Sequence, residues 1–253
     1  MCIISLAWQL LPDQPLLLLA NRDEFYARPT TPLQRWAEQS ILAGRDQQSG
    51  GTWLGITPSG RWAALTNFRQ VPSLKPSPEL LRSRGLLVSE YLASALSPLE
   101  FARQIELLRY EGFSLLLGTR EQAVVVSNRG IAPTVLAAGL YVLSNALIDE
   151  PWPKVERLRQ RTTQEVLPLL SSGQDWQAAA FEVLADNRTA EEEQLPQTGV
   201  GLEMERLLSS VFIVSPIYGT RCSTLLSFDQ KGYVLSEQTH ATGTGRVTEV
   251  GNW

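Results

Sequence analysis

A single histidine, His240, in a chain of 253 residues removes whole classes of chemistry before any motif is considered. A multi-histidine metal centre is impossible, and a Ser-His-Asp or Cys-His arrangement would rest on His240 alone. Cysteine is almost as scarce. Cys2 and Cys222 are the two thiols; neither has a Cys or His nearby at zinc-ligand spacing, and in a reducing compartment both read as free. No Gly-x-Ser-x-Gly elbow, Walker loop or Gly-x-Gly-x-x-Gly fingerprint is present, and Gly50-Gly51 precedes a strand and reads as a turn. Positive charge is not in excess: the formal net charge is −4 and the arginines are scattered, unlike the clustered basic face of a nucleic-acid binder. Met1 to Gln9 lack the basic start and long apolar run of a signal peptide, and Leu16 to Leu19 is far too short to span a bilayer. A cytoplasmic chain without a membrane span is expected.

What is present describes a packed core: 43% hydrophobic residues against 19% charged, with seven Trp. The length suits one domain over residues 1–253. Cys2 to Gln9, Pro15 to Ala20, Thr52 to Thr57 and Arg61 to Thr66 have strand composition, the last two joined by the turn Thr57-Pro58-Ser59-Gly60. Three prolines between Val71 and Glu79 predict a mobile surface loop. Helical periodicity follows over Leu86 to Leu96 and Pro98 to Tyr110, with Ser97 placed to cap the second. Strands are expected at Phe113 to Leu117, Ala123 to Ser127 and Tyr141 to Ser144, then helices at Trp152 to Leu170 and Asp175 to Ala185 and an acidic loop at Glu191 to Gly201. Val211 to Val214, Thr220 to Phe228 and Tyr233 to Ser236 read as strands, with Asp229-Gln230-Lys231-Gly232 as a hairpin turn. Strand pairs, helix pairs and strands again predict an α+β fold, with two antiparallel sheets and helices on their outer faces.

One mechanism needs no histidine. An N-terminal Cys can use its own α-amine as the base, since that amine has a pKa of about 8 and is partly neutral in the cell. Cys2 meets the positional requirement once Met1 is removed, as is usual before a small residue. The bland alternative is that Cys2 simply begins a buried strand.

Several ordered blocks carry a family resemblance. They are Met1-Cys2-Ile3, Asn21-Arg22-Asp23-Glu24, Gly51-Thr52-Trp53-Leu54-Gly55 and Leu65-Thr66-Asn67-Phe68-Arg69. Further along come Leu143-Ser144-Asn145 with Pro151-Trp152-Pro153-Lys154-Val155, Leu195-Pro196 with Thr198-Gly199-Val200, and Tyr218-Gly219-Thr220-Arg221-Cys222-Ser223-Thr224. Together they resemble the NRDE family, which includes the transport and Golgi organisation protein 2 group, over nearly the whole chain. That family is in turn similar to N-terminal-nucleophile hydrolases of the choloylglycine hydrolase and penicillin V acylase type. The second resemblance implies a four-layer αββα sandwich and cleavage of a linear amide. It also implies roles: Cys2 as nucleophile, Arg22 lowering the thiol pKa, Asp23 holding the α-amine, Asn67 binding the oxyanion, Asn145 as a second polar group and Arg221 as a further positive charge. Arg22 and Asp23 adjoin here, whereas those hydrolases separate the pair by two residues, so Glu24 is an equal candidate for the partner of the amine. Trp53 and Trp62 read as core or cleft wall, and Cys222 as a small buried residue.

Left open is a binding protein with the same pocket and no turnover. NRDE relatives are associated with haem trafficking and with lipid or acyl-CoA metabolism. A haem carrier would draw its axial ligand from His240, Cys2 or Cys222. The hydrolase reading requires no cofactor. An adaptor or Golgi-trafficking scaffold finds no interaction motif in the sequence.

Overall fold

The structure, a computed structural model, describes residues 2–69, 81–240 and 245–253. The proline-rich loop expected at Val71 to Glu79 lies outside the described residues. Thirteen strands form two antiparallel sheets among the described residues. The first holds β1 (Cys2–Leu11), β2 (Gln14–Phe25), β10 (Gly139–Leu143), β11 (Tyr218–Phe228), β12 (Gly232–Thr239) and β13 (Gly245–Asn252), in the order β10-β1-β2-β11-β12-β13. The second runs in sequence order through β3 (Thr30–Arg35), β4 (Leu42–Asp46), β5 (Leu54–Ile56), β6 (Trp62–Asn67), β7 (Phe113–Gly118), β8 (Ala123–Ser127) and β9 (Ile131–Val135).

The central strands are apolar on both faces because both faces are covered. On β1 and β2, Ile4, Leu6, Trp8, Leu16, Leu18 and Ala20 point inward and join Leu54, Ile56, Trp62, Leu116 and Val125 of the other sheet in the central core. The alternate residues Ile3, Ala7, Leu17 and Leu19 point outward and pack with Val155, Leu158 and Phe181 of two helices, α3 (Pro153–Arg161) and α5 (Gln177–Leu184). On the far side, Ala63, Leu65, Leu115 and Leu117 pack with Leu87, Val88 and Tyr91 of α1 (Gly85–Ala93) and with Ala102 of α2 (Pro98–Gln104). Helix, sheet, sheet, helix is therefore the layer order, the expected αββα sandwich. No helix among the described residues is long and apolar enough to cross a membrane.

Ser97 caps α2 as its position predicts: its hydroxyl accepts from the Glu100 N–H and the Glu100 carboxylate accepts from the Ser97 N–H, a complete capping box. Other expectations need correction. Helix α2 stops at Gln104, and a 3-10 turn at Leu107–Arg109 replaces its predicted last turns. The helix expected over Trp152 to Leu170 is interrupted by a π-turn at Thr162–Val166 before α4 (Leu167–Ser171). Pro168 lacks an N–H and would collide with the carbonyl one turn back, so the helix widens there instead. Val211 to Val214 is not a strand. Phe212 N–H bonds the Asp186 carbonyl at 2.8 Å and Ile213 N–H the Thr220 hydroxyl at 2.9 Å, so this apolar run is pinned to a helix end and a neighbouring side chain. A short helix, α6 (Leu202–Leu207), follows the acidic loop.

Candidate active site

The Asn21-Arg22-Asp23-Glu24 block lies inside β2 and sends its side chains to opposite faces. Asn21 points outward, donating to the Leu184 and Val211 carbonyls at 2.8 and 2.9 Å and accepting from the Ser223 hydroxyl at 2.6 Å. Arg22 points inward. It pairs in register with Cys2 on β1 and with Cys222 on β11, so the two thiols flank it on the inner face of the sheet.

At this end of the sandwich the central core gives way to a cavity of about 120 Å³ whose walls include Cys2, Arg22, Asp23, Trp53, Asn67 and Arg84. Arg22 is held by contacts on every side: its guanidinium lies 4.5 Å above the Trp53 ring, 3.4 Å from the Thr30 hydroxyl and 3.8 Å from the Asp46 carboxylate. Asp46 is itself bonded to Arg28 at 2.6 Å. Burial pushes the Cys2 thiol above its ordinary pKa; the Arg22 charge and a hydrogen bond from the Asp23 backbone N–H pull it back.

Asp23 is fully buried and accepts from the Thr220 hydroxyl at 2.7 Å, where β11 bulges between Thr220 and Cys222. Burial raises its carboxyl above the usual range, against the charges of Lys154 and Arg22. Glu24 is more exposed, with a carboxylate that accepts from the Phe25 N–H at 2.9 Å and lies 3.8 Å from Arg28. Of the two acids, Asp23 is the one that contacts Cys2 through its backbone.

Asn67 ends β6 on the cavity wall. Asn145 sits behind it, fully buried, with both ends of its amide engaged: Nδ2 donates to the Asn67 carbonyl at 3.1 Å, and Oδ1 accepts from Lys154 Nζ at 3.2 Å and the Ser144 hydroxyl at 3.3 Å. Arg221 lies off this cavity. Its Nη1 donates to the carbonyls of Phe25, Tyr26 and Arg28 at 2.8, 3.1 and 3.0 Å, closing the turn after β2. The sandwich thus brings Cys2, Arg22, Asp23 and Asn67 to one cavity, while Asn145 and Arg221 brace its walls.

The other residues considered as haem ligands lie elsewhere. His240 is half-buried on the outer face, its Nε2 2.9 Å from the Ser223 hydroxyl and its ring edge-on to Phe212, and burial lowers its pKa. Cys222 is buried beside Glu237, with its thiol pushed well up by desolvation. No group of three or more His, Cys, Asp or Glu among the described residues could hold a metal ion.

Three participants gave no signal in composition or spacing. Trp53 supplies the face on which Arg22 stacks. Tyr218 lies near Cys2 and Asp23, its hydroxyl driven strongly upward by burial and then by their charges. Lys154 is buried in the first turn of α3, although a lysine there would ordinarily face solvent. Each falls within a sequence block quoted for the resemblance.

Comparison with known proteins agrees with the block pattern. The chain is 35% identical over 267 residues to the transport and Golgi organization protein 2 homolog of Bos taurus, covering 96% of this chain and 94% of that one. Against the Homo sapiens homolog the identity is 35% over 257 residues, covering 92% and 91%. Among solved structures it is similar to a Caenorhabditis elegans N-acylethanolamine-hydrolyzing acid amidase ortholog, with a TM-score of 0.49 and 14% identity over 89% of this chain and 92% of that chain. The profile described as Transport and Golgi organisation 2 matches residues 1–241, and the chain belongs to that family.

Proposed function

We propose that this protein is a cysteine-dependent hydrolase of a linear amide, acting through Cys2 once Met1 has been removed. The observation that carries this reading is Cys2 on the wall of a polar cavity, in register with the buried Arg22 and beside the Asp23 backbone. A residue that merely began a strand would need neither a fixed cation nor a backbone donor at its sulfur.

In the proposed cycle the freed α-amine of Cys2 takes the thiol proton as the sulfur attacks the amide carbonyl. A carbon–sulfur bond forms and the carbonyl oxygen becomes an oxyanion, for which the Asn67 side chain is the donor at hand. Collapse of that adduct breaks the carbon–nitrogen bond, and the leaving amine carries off the proton held by the α-ammonium. Water then attacks the thioester with the same amine as base, releasing a carboxylic acid and restoring the thiol. Arg22 stabilises the thiolate and Asp23 orients the amine; no step uses a cofactor. While Met1 is attached the nitrogen of Cys2 is an amide and cannot serve, and the elevated thiol pKa makes that form unreactive.

The test is covalent trapping. Protein whose intact mass shows Met1 absent is treated with an acylating electrophile, and its peptides are mapped by mass spectrometry. A single acyl group on Cys2, lost in Cys2→Ala, is expected. Unmodified Cys2 in a preparation free of Met1 rejects the reading.

A further inference from the structure

The chain contains three lysines against nineteen arginines, and the three are Lys75, Lys154 and Lys231. Lys154 is 1% exposed and ranks among the largest fully buried side chains. Its position is unfavourable twice over. An isolated ammonium loses its hydration on burial, and in the first turn of α3, one residue after Pro153, it meets the positive end of the helix dipole. The ammonium has three N–H donors, and among the described residues it makes one hydrogen bond, to Asn145 Oδ1 at 3.2 Å.

The charges acting on it come from Arg69 just past β6, Asp23 on β2, Cys2 on β1 and Glu205 on α6. Arg69 and Glu205 satisfy one another at 2.7 Å. The groups left to answer the Lys154 charge are Asp23 and Cys2, the residues of the candidate site, and the amide it holds is the one that clamps the Asn67 peptide. A leucine or methionine would fill the same volume without the desolvation cost.

Resting on the hydrolase reading, we propose that Lys154 is the positioning residue of the Cys2 centre: its buried ammonium fixes Asn145 against the Asn67 peptide and presents positive charge to Asp23 and Cys2. It touches no substrate and acts through these three side chains. Burial, followed by the Arg69 charge, lowers its pKa to about 7, so the charge on the site is poised to change within the physiological range.

The experiment uses iodoacetamide and the otherwise full chain with Met1 shown absent by intact mass. Alkylation of Cys2 is followed by peptide mass spectrometry from pH 5.5 to 9.5 in the parent protein and in Lys154→Met, both shown folded by circular dichroism. Loss of the facing cation is expected to slow Cys2 alkylation about tenfold at pH 7 and to displace the profile to higher pH. A folded Lys154→Met with an unchanged profile overturns the proposal. Should that variant not fold, the Lys75→Arg, Lys231→Arg chain leaves Lys154 as its single lysine, and ¹³C-lysine NMR reads its titration directly. A midpoint near 7 supports the proposal, and one near the ordinary value of about 10.4 overturns it. Neither readout requires turnover, so absent acylation with a displaced profile sinks the hydrolase alone, and acylation with an unchanged profile sinks Lys154 alone.

Discussion

Glu205→Gln is expected to destabilise the protein by about 3–5 kcal/mol, the usual effect of leaving one half of a buried ion pair uncompensated. Glu205 and Arg69 have side chains 5% and 3% exposed, joined at 2.7 Å. The second carboxylate oxygen accepts from the Thr198 N–H at 2.7 Å and its hydroxyl at 2.5 Å, and the Arg69 guanidinium lies 4.8 Å over Trp152. Burial already pushes the Arg69 guanidinium below its ordinary pKa, with Glu205 opposing. Removing the carboxylate charge strands a cation with no route to solvent. In urea, with a slope near 3 kcal/mol/M for a chain of this size, the midpoint should fall by about 1–1.7 M. The double variant Arg69→Met, Glu205→Leu removes both charges and should recover most of that loss, which a simple sum of two damaged contacts would not. A midpoint within about 0.3 M of the parent for Glu205→Gln, or a double variant as unstable as the two singles added, refutes the reasoning. The consequence reaches the site, because Arg69 N–H bonds the Asn145 carbonyl at 2.6 Å.

Gly44→Ala should disturb the site from a distance: an added Cβ overlaps the far edge of the Trp53 indole, the ring on which Arg22 stacks, so a loss of about 1–3 kcal/mol with a changed tryptophan emission is expected. Asp186 gives an acid-side signature. Burial opposes its ionisation, yet the Arg188 side chain and backbone hold its carboxyl down to about 2. A depressed carboxyl contributes stability above its unfolded pKa of about 3.9 and loses it as pH falls toward 2, so Arg188→Ala should narrow the stability difference between pH 6 and pH 2.5. Lys154 gives a slope of the same sign at the alkaline end. Its folded pKa lies below the unfolded value near 10.4, so parent stability should rise with pH above about 7, and Lys154→Met, free of that penalty, should be at least as stable at pH 6 and show a flatter profile in urea titrations.

Legibility in the sequence follows burial. The strands at Phe113 to Leu117, Ala123 to Ser127 and Thr220 to Phe228 are interior strands of their sheets, and each is buried along its whole length. The missed strands include sheet edges. Strands β3 and β9 close the two sides of the seven-stranded sheet, and each carries a proline, Pro32 and Pro133, which demotes a run to irregular structure by pattern and which only an edge tolerates. Strand β13 is an edge of the other sheet and is mostly exposed, so it shows no alternation of polar and apolar residues. Cys2, Arg22, Asp23 and Asn67 could be singled out from their blocks, and pairing of β1 with β2 explains why residues twenty apart share one wall. Lys154 could not. What buries it is the packing of α3 onto β10 and β1, a contact between segments that no local pattern encodes.

The blocks that carry the resemblance therefore divide by direction rather than by sequence. Within Asn21-Arg22-Asp23-Glu24, adjacent residues serve opposite faces: Arg22 meets Cys2 across the sheet, while Asn21 ties β2 to the end of α5 and to the Val211 carbonyl. The same division separates Asn67 from Asn145. The first stands on the cavity wall, and the second has no amide hydrogen-bonding end turned toward it. Losing Asn145 should thus act through the placement of Asn67 and the solvation of Lys154, not through a missing oxyanion donor. Replacing Asn145 by Asp separates these roles. A carboxylate would retain the Lys154 ammonium and raise its pKa while abandoning the Asn67 carbonyl, which has then lost its donor. Slow acylation together with a Lys154 titration above 7 is the expected pair of results. An Asn145→Asp protein that acylates Cys2 at the parent rate would show that the Asn67 peptide needs no clamp.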